Sequence, residues 1–439
     1  MFIFPHSCIY IIEMILFVRE SMTSLKAMQN NAVDKGRLQI NVTSEGTSFP
    51  IPDATISISY TGVPGSPLEQ VTTNSSGQTE SLELDAPPLE YSLDPAVEVQ
   101  PYAEYTLDIS APGFETISIS GAQILADVTA IQNVRMDPTS ENEEVFVIAA
   151  HTLYEEYPPK IPEDEIKPLD ETGEIVLSRV VVPEYVVVHD GSPGDTTAQN
   201  YYVKYKDYIK NVASSEVYAT WPENAIRANV LAIMSFTLNR VYTEWYRNKG
   251  YDFTITSSTA FDHKWIPERN YFDTISLIVD EVFANYLSRP NVRQPILTQY
   301  CDGRRVTCPD WLSQWGSMSL GDQGYSTIDI LRHYYGDDMY INIAPEVSGV
   351  PSSWPGYLLD IGASGDKVRQ IQEQLNVIAG AYPAIPKIGV DGVYGPSTAG
   401  AVERFQSVFG LPQTGVVDYR TWYKISEIYV AVSRIAELT

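Results

Sequence analysis

The period at which hydrophobic residues recur changes along this chain of 439 residues. Between 36 and 138 apolar and polar residues alternate, and a period of two is typical of strands with one buried face. Between 183 and 345 strand-like stretches are mixed with segments in which apolar residues recur every three or four positions, as in amphipathic helices. From 360 to 439 the helical spacing dominates. These patterns, and the length, predict several domains rather than one core.

Two segments between these regions have the composition of linkers. Residues 139–182 are rich in Asp, Glu and Pro and carry few basic residues, so we predict an extended, solvated linker there. Residues 346–359 include the run SGVPSSWPG and are predicted to be a second linker.

Residues 1–35 are expected to be a leader or the product of a misassigned start. The stretch MFIFPHSCIYIIEMILFVRESM resembles a signal sequence, but it has no basic n-region and carries Glu13 inside its apolar run. The run is also too short to span a bilayer. We therefore expect translation to begin at Met22, with an export signal as the alternative.

The charge of the chain excludes some classes of partner. The sequence has 29 basic and 56 acidic residues, a formal net charge of −27. A protein this acidic is poorly suited to nucleic acid or anionic lipid as its main partner. Neutral or cationic material fits better, and the 29 tyrosines could stack on sugars.

Three stretches in the alternating segment resemble a known β-domain: IPDATISI, TTNSSGQTESLEL and YTLDISAPGFETISI. In this order they resemble the carboxypeptidase regulatory-like, transthyretin-type family. The resemblance implies an all-β sandwich over 36–138 with a structural or interaction role. The segment shows no cluster of His, Cys or paired carboxylates that would indicate chemistry.

Three stretches near the C-terminus resemble the peptidoglycan-binding three-helix family found in many wall hydrolases: GASGDKVRQIQEQLN, DGVYGPSTAGAVERFQ and GLPQTGVVDYRTW. The resemblance implies a small all-α domain over 360–439 whose turns form a shallow groove for a glycan or stem peptide. We predict Asp391, Tyr394 and Gln406 as groove residues because they are polar or aromatic and lie near the turns. Phe405 is predicted to be core.

The middle segment contains YIKNVASSEVYATWPENAIRANVLAIMSFTLNRVY and LSQWGSMSLGDQGYSTIDILRHYYG. These stretches resemble the stage II sporulation protein D family, which implies an α+β domain over 183–345. Active members are lytic transglycosylases, and their catalytic glutamate corresponds to Glu216. Ordinary glycosidases need two carboxylates. In this reaction the sugar's own 6-hydroxyl attacks, so one carboxyl can act as acid and then as base.

The predicted location of Glu216 fits a general acid. It lies at the C-terminal end of a predicted helix, where the macrodipole disfavours negative charge. Apolar neighbours such as Val212 and Val217 would partly desolvate it, which also favours the protonated carboxyl that a general acid needs. The alternative is an ordinary exposed carboxylate between two helices.

Other residues of the two motifs are candidates for sugar binding. Ser313, Gln314 and Tyr325 match the closing motif, and we predict that they hydrogen-bond the sugars or support the turn. Trp221 and Trp315 are predicted to stack on sugar rings, and packing in a core is the alternative for both.

The chain has three cysteines, and Cys301 and Cys308 are close in sequence. They could form a disulfide, remain buried thiols, or bind zinc together with His263 or His333. No cofactor is expected, and zinc at the two cysteines is the alternative.

The sequence also departs from the family pattern. Asn229 and Met234 stand where the family usually has Gln and Arg, and Cys308 begins a Cys-Pro-Asp-Trp run where the family has His-Gly. We predict a protein of the cell wall or spore cortex, from a Gram-positive spore former, that binds peptidoglycan and cleaves glycan strands. The alternatives are a non-catalytic structural or spore protein and an enhancer of another wall hydrolase.

Overall fold

The computed structural model describes residues 33–45, 47–63, 66–138, 143–155, 157–167, 177–349 and 354–433. The chain forms two compact units. One comprises Met1–Glu45, Ile51–Ala150 and Pro267–Asn270, and the other comprises Gly46–Pro50, His151–Ile266 and Tyr271–Thr439. The predicted order of a β-rich N-terminal region, a mixed middle region and a helical C-terminal region is confirmed.

The first unit is built from strands. They are β1 (Asp34–Ser44), β2 (Thr55–Tyr60), β3 (Glu69–Thr72), β4 (Leu82–Ala86), β5 (Ala103–Ser110), β6 (Thr116–Ile124), β7 (Thr129–Met136) and β8 (Glu143–Val147). Strands β7, β1 and β4 lie side by side in one sheet, and a second sheet has the order β3-β2-β5-β6-β8. Most of the predicted leader lies outside the described residues, and β1 begins at Asp34.

Side chains of the first unit follow the alternation seen in the sequence. Leu38, Ile40 and Val42 of β1 are completely buried, and so are Ile56 and Ile58 of β2. Alternate residues of a strand point to opposite faces, so each sheet turns one apolar face into the core of the unit. Strand β8 pairs in parallel with β6, so the predicted linker begins with a strand.

The second unit contains the helices. They are α1 (Tyr205–Glu216), α2 (Glu223–Tyr242), α3 (Asp273–Val282), α4 (Gln314–Asp322), α5 (Thr327–Tyr335), α6 (Asp366–Ala381), α7 (Pro396–Val408) and α8 (Tyr419–Ser433). Along the stretches of the chain that the structure describes, none of the helices is both apolar enough and long enough for a membrane span.

The strands of the second unit are short. They are β9 (Val181–Val182), β10 (Tyr185–His189), β11 (Asn200–Lys204), β12 (Ile255–Thr256), β13 (Tyr271–Phe272), β14 (Asn285–Ser288), β15 (Tyr300–Cys301), β16 (Leu312–Ser313), β17 (Tyr340–Ile343) and β18 (Glu346–Val347). Strands β11, β10 and β12 form one sheet. The second predicted linker begins with β18, which pairs with β9.

Helix α2 is buried along nearly its whole length. From Ala228 to Tyr242 no residue is exposed, so the single apolar face predicted from spacing is wrong. Several polar residues of the helix form hydrogen bonds inside the unit. Asn229 Nδ2 donates to Ser317 Oγ of α4 at 2.7 Å, and Ser235 Oγ donates to the Ile296 carbonyl at 2.9 Å.

A completely buried guanidinium sits near the end of α2. Arg240 donates from Nε to Asp262 Oδ1 at 2.8 Å, and from its two terminal nitrogens to Glu163 at 3.0 and 2.6 Å. Burial alone would lower the pKa of Arg240, but the two carboxylates outweigh burial and raise it. Charges buried in this way are tolerated because they are paired and hydrogen-bonded.

The segment that contains Glu163 does not form an extended linker. Leu153 and Tyr157 are buried in the second unit, and Lys160 Nζ donates to the Thr259 carbonyl at 2.9 Å. The prediction of a solvated linker is therefore wrong for 151–155 and 157–167. The acidic composition is misleading because Glu163 has a buried cationic partner. Residues 168–176 of the predicted linker lie outside the described residues.

Helix α8 packs against the middle region of the second unit through charged groups. Lys206 of α1 lies 2.6 Å from Glu427 of α8 and 3.1 Å from Asp280 of α3. Lys210 contacts the other oxygen of Asp280 at 2.8 Å. Next to these groups Tyr423 of α8 packs edge-on against Phe283, with ring centroids 5.0 Å apart. The helical C-terminal region is thus docked on its neighbour.

We predict that Asp280→Asn destabilises the second unit by about 3–5 kcal/mol, because it leaves two buried lysines without this carboxylate. Burial would raise the pKa of Asp280, but Lys206 and Lys210 outweigh it and lower the pKa. The contribution of Asp280 is therefore fully present above the unfolded-state pKa of ~3.9. It falls away as the pH drops through the lower folded-state pKa.

Urea unfolding of both proteins at several pH values measures this difference. Glu223→Gln, which removes a carboxylate whose side chain is 72% exposed, is the matched control and is expected to cost little. Equal stability of the Asp280→Asn variant and the wild type at neutral pH would contradict the prediction.

Candidate functional site

Glu216 is the last residue of α1, and its carboxyl is completely buried. Oε1 accepts a hydrogen bond from the Lys264 backbone N–H at 2.8 Å. Oε2 accepts from Nε2 of Gln314 at 3.1 Å, and the same nitrogen donates to the Glu216 carbonyl at 2.9 Å. Glu216 is therefore neither an exposed surface carboxylate nor open to solvent; the fold holds it in one place.

The start of α4 places Gln314 beside Glu216. Strand β16 pairs in parallel with β15, and Ser313 then caps the helix, because its Oγ accepts from the Gly316 N–H at 2.9 Å. Gly303 makes room for this cap. It has a φ of +74°, and a Cβ there would lie 1.8 Å from Ser313 Oγ. The two sequence motifs thus meet through Glu216 and Gln314.

Three further residues interact electrostatically with Glu216, and no local sequence pattern indicates them. Burial raises the pKa of Tyr300 and of Tyr157 well above the ordinary value, and the charge of Glu216 adds to both shifts. Burial lowers the pKa of Lys160 to about 8, although Glu216 and Asp262 oppose this shift. Tyr157 and Lys160 belong to the segment whose composition predicts a linker, which is why the sequence does not assign them to a site.

Buried polar atoms near Glu216 that have no hydrogen-bond partner in the described chain include the Tyr157 hydroxyl and Gln314 Oε1. Most buried polar groups in proteins are satisfied, so each such atom calls for an explanation. The region around the carboxyl therefore has unused hydrogen-bonding capacity.

The tryptophans predicted to stack on sugars are buried. Trp221 is 3% exposed and Trp315 is 7% exposed, and their ring centroids lie 5.0 Å apart. Tyr218 packs edge-on against both rings. In this structure neither ring is open to a sugar, and the three form an aromatic cluster in the core.

The last predicted sugar-binding residue, Tyr325, is on the surface. Its side chain is 44% exposed, and its carbonyl accepts from Nδ2 of Asn224 at 2.5 Å. The structure therefore brings Gln314 to Glu216, with Ser313 next in the chain, and leaves Tyr325 at the turn between α4 and α5.

Cys301 and Cys308 form a disulfide. Bonded sulfurs are not thiolates, so the pair is not available to zinc in this form. His263 is completely buried, 3.0 Å from the Tyr208 hydroxyl through Nδ1. His333 packs against Tyr334. Over the described ranges, no group of three or more His, Cys, Asp or Glu could hold a metal ion.

Among the C-terminal helices, a pair of glutamines holds two similar turns. Gln372 of α6 accepts from the Asp391 and Gly392 N–H groups at 3.1 and 2.8 Å. Its Nε2 donates to Asp391 Oδ1, to the Val393 carbonyl and to Thr398 Oγ1 at 2.9–3.1 Å. One amide thus satisfies both donors and acceptors of the turn that leads into α7.

Gln406 of α7 repeats this arrangement. Its Oε1 accepts from the Thr414 and Gly415 N–H groups at 2.8 and 2.9 Å. Its Nε2 donates to Thr414 Oγ1, the Val416 carbonyl and Thr421 Oγ1 at 2.9–3.2 Å. The helical C-terminal region therefore contains an internal structural repeat, in which a helix glutamine supports the turn before the next helix.

These contacts correct the predicted groove. Gln406 and Tyr394 are each 1% exposed, and the Tyr394 hydroxyl donates to the Gly415 carbonyl at 2.8 Å. Neither side chain lines a surface groove. Asp391 is exposed, but its Oδ1 accepts from the Val393 N–H at 2.8 Å, and this bond and the Gln372 bond lower its pKa. Phe405 is completely buried, as predicted.

Comparison with known proteins identifies the C-terminal region. Residues 364–425 match the sequence model of a family described as "Putative peptidoglycan binding domain". This match confirms the predicted peptidoglycan-binding domain at the C-terminus. It covers α6, α7 and the first half of α8.

Curated relatives match over short segments. The zinc D-Ala-D-Ala carboxypeptidase of Streptomyces albus G is 40% identical over 77 residues, which are 17% of this chain and 28% of that protein. The N-acetylmuramoyl-L-alanine amidase CwlA of Bacillus subtilis (strain 168) is 51% identical over 51 residues, 11% of this chain and 18% of the amidase. The chain thus spans less than a third of either relative.

Solved structures also match over limited stretches. The SleB N-terminal domain is 30% identical and covers 18% of this chain and 99% of its own, with a TM-score of 0.16. An (S)-allantoin synthase is 14% identical and covers 27% of this chain and 47% of its own, with a TM-score of 0.19.

We predict that Gln406→Leu lowers the free energy of unfolding of the C-terminal region by about 2–4 kcal/mol, because it leaves buried N–H and C=O groups of the turn unpaired. Gln372→Leu should have a similar effect, since it removes the equivalent contacts. Gln413→Leu changes an exposed residue near the same turn and is the control. Thermal unfolding measures the three variants, and a stability equal to the control's would contradict the proposed role of the glutamines.

We predict that Cys301→Ser with Cys308→Ser destabilises the second unit by about 2–3 kcal/mol, because the disulfide closes a short loop in the unfolded chain. Thiol titration of the denatured 439-residue chain, which includes Cys8, should find one free thiol before reduction and three after it. Three free thiols before reduction would show that the disulfide does not form.

Proposed function

We propose that this chain is a peptidoglycan-binding protein directed to the cell wall or spore cortex. The match of residues 364–425 to the peptidoglycan-binding family carries the proposal. Two relatives that share a segment with this chain are, by name, a zinc D-Ala-D-Ala carboxypeptidase and an N-acetylmuramoyl-L-alanine amidase. A net charge of −27 argues against nucleic acid as the main partner.

The first unit has a supporting role in this proposal. We infer from the sequence resemblance that it is a carboxypeptidase regulatory-like sandwich that serves as a structural or interaction module. Its two sheets and their alternating buried residues are compatible with that assignment.

The second candidate function is cleavage of glycan strands by the middle region. Glu216 and Gln314 are 98 positions apart and come from the two motifs that resemble the stage II sporulation protein D family, yet they share a hydrogen bond. Glu216 would protonate the leaving oxygen while the sugar's 6-hydroxyl attacks the anomeric carbon. The glutamate would then accept the hydroxyl proton, which restores the acid.

This chemistry requires the carboxyl to reach a sugar. The unpartnered Tyr157 hydroxyl and Gln314 Oε1 supply polar groups that a sugar could use once the region opens. Glu216 is 0% exposed, however, so the region has to open before a sugar can bind.

The burial of Glu216 favours a non-catalytic middle region. Its two carboxylate oxygens are occupied by a backbone N–H and a side-chain amide, which is how a structural carboxylate stabilises a junction. A wall-binding structural protein or an enhancer of another wall hydrolase would keep this arrangement without turnover. The match of residues 364–425 therefore supports peptidoglycan binding best, and the contact between Glu216 and Gln314 supports transglycosylase activity second.

One experiment tests both peptidoglycan binding and cleavage of glycan strands. Purified full-length protein is mixed with intact peptidoglycan and with peptide-stripped glycan strands, for the wild type, Glu216→Gln and the control Glu223→Gln. Pelleting measures binding, and mass spectrometry of the soluble products measures cleavage. We expect all three proteins to pellet with intact peptidoglycan, because the substitutions lie outside the binding domain.

The products separate the two candidates. Anhydro-ended sugars from the wild type and from Glu223→Gln, but not from Glu216→Gln, would establish a transglycosylase with Glu216 as its acid. Absence of products from all three, with binding retained, would leave a binding protein. Failure of the wild type to pellet would overturn the proposed function itself.

A further inference from the structure

The helical C-terminal region differs in charge from the rest of the chain. Residues 360–439 contain seven Lys and Arg against eight Asp and Glu, whereas the whole chain carries a net charge of −27. Long-range repulsion of an anionic ligand is therefore weakest around this region, and the position of its cations decides what it can bind.

Two of these cations line an open groove of about 530 Å³. One wall of the groove is the segment after α6, and the other is the exposed side of α7. The lining residues are Ala384, Pro386, Lys387, Ile388, Ser397, Gly400, Ala401 and Arg404. A volume of this size suits a small ligand or a short peptide.

The two cations have no anionic partner among the described residues. Arg404 Nε donates to the Ala384 carbonyl at 3.3 Å, and neither Arg404 nor Lys387 forms an ion pair there. Both side chains are exposed. Ser397 adds a hydroxyl to the same lining, and the lining contains no carboxylate. The groove is therefore complementary to a carboxylate or another anion.

Gly400 leaves the α7 side of the groove open to a ligand. It lies inside α7, where glycine is less favourable than alanine. Packing does not explain it, because a Cβ at Gly400 would meet nothing within 4 Å and its φ is not positive. A glycine in a helix that leaves open space above its backbone allows a ligand to approach closely.

We propose that this groove binds the carboxylate-bearing stem peptides of peptidoglycan rather than its sugar chain. Lys387 and Arg404 hold the carboxylates, and the peptide backbone lies over Gly400. The lining has no aromatic ring on which a sugar could stack. The turn residues expected to form the groove, Tyr394 and Gln406, are buried and are absent from this lining. This inference rests on the proposed peptidoglycan binding.

The test is a pelleting titration of the full-length chain on three polymers. They are peptidoglycan freed of phosphate-containing wall polymers, the same material with its carboxyls amidated, and glycan strands stripped of peptide. We expect tight binding to the first only. Lys387→Gln and Arg404→Gln should each weaken it about five- to tenfold, as expected for loss of one charge-assisted contact. Lys367→Gln, a charge change elsewhere in the same region, is the control.

The outcomes distinguish this inference from the proposed function. No binding of the wild type to any polymer would overturn both. Equal binding to stripped glycan, or binding unaffected by amidation, would retain peptidoglycan binding and overturn the stem-peptide assignment. Binding that appears only when phosphate-containing polymers are kept would show that the groove prefers phosphate, and would also overturn it.

Gly400→Ala provides a second readout. Alanine should raise the thermal unfolding temperature, because it is the better helix former, and should weaken binding severalfold, because its methyl group projects into the groove. A structural role for Gly400 would instead make stability and binding fall together. Unchanged binding with raised stability would contradict close approach of the ligand to Gly400.

Discussion

The burial of helix α2 is the constraint on which the rest of the second unit depends. A helix surrounded by protein on all sides cannot leave its polar side chains to water, so each needs a partner from a neighbouring element. Asn229 therefore contacts α4, Ser235 contacts the segment near Ile296, and Arg240 contacts Asp262 and Glu163. These contacts fix the elements that in turn carry Glu216 and Gln314.

The sequence predicted the helical and strand-rich segments better than it predicted the tertiary contacts that these segments make. Alternation identified the strand-rich region of 36–138, and the three- and four-residue spacing identified the helical segments after residue 183, because these periods reflect backbone geometry alone. The packing of residues 151–155 and 157–167 into the second unit was not predictable from composition. Glu163 resembles a solvated linker residue until Arg240, 77 positions away, is known to be its partner.

Contacts between residues far apart in sequence also limited the prediction of the site around Glu216. The motif predicted that Glu216 and Gln314 belong together, and the structure places them in contact. Their burial depends on packing from distant segments, including Tyr157 and Tyr300, which no local pattern indicates. Among the C-terminal helices, the residues near the turns were expected to contact a ligand. Gln406 instead satisfies backbone groups, a role for which an amide with both donor and acceptor is well suited.

The docking of α8 on α1 and α3 through Lys206, Glu427 and Asp280 has a mechanical consequence. When a flexible linker joins a binding module to a second domain, the second domain can take many orientations and reach a wide area around the point of attachment. Here the C-terminal helices and the middle region share one compact unit. If the C-terminal helices attached to an insoluble polymer, they would therefore also fix the orientation of the middle region relative to that polymer. The middle region could then contact only those parts of the polymer that its fixed orientation allows. To reach other parts, the whole unit would have to dissociate and bind again.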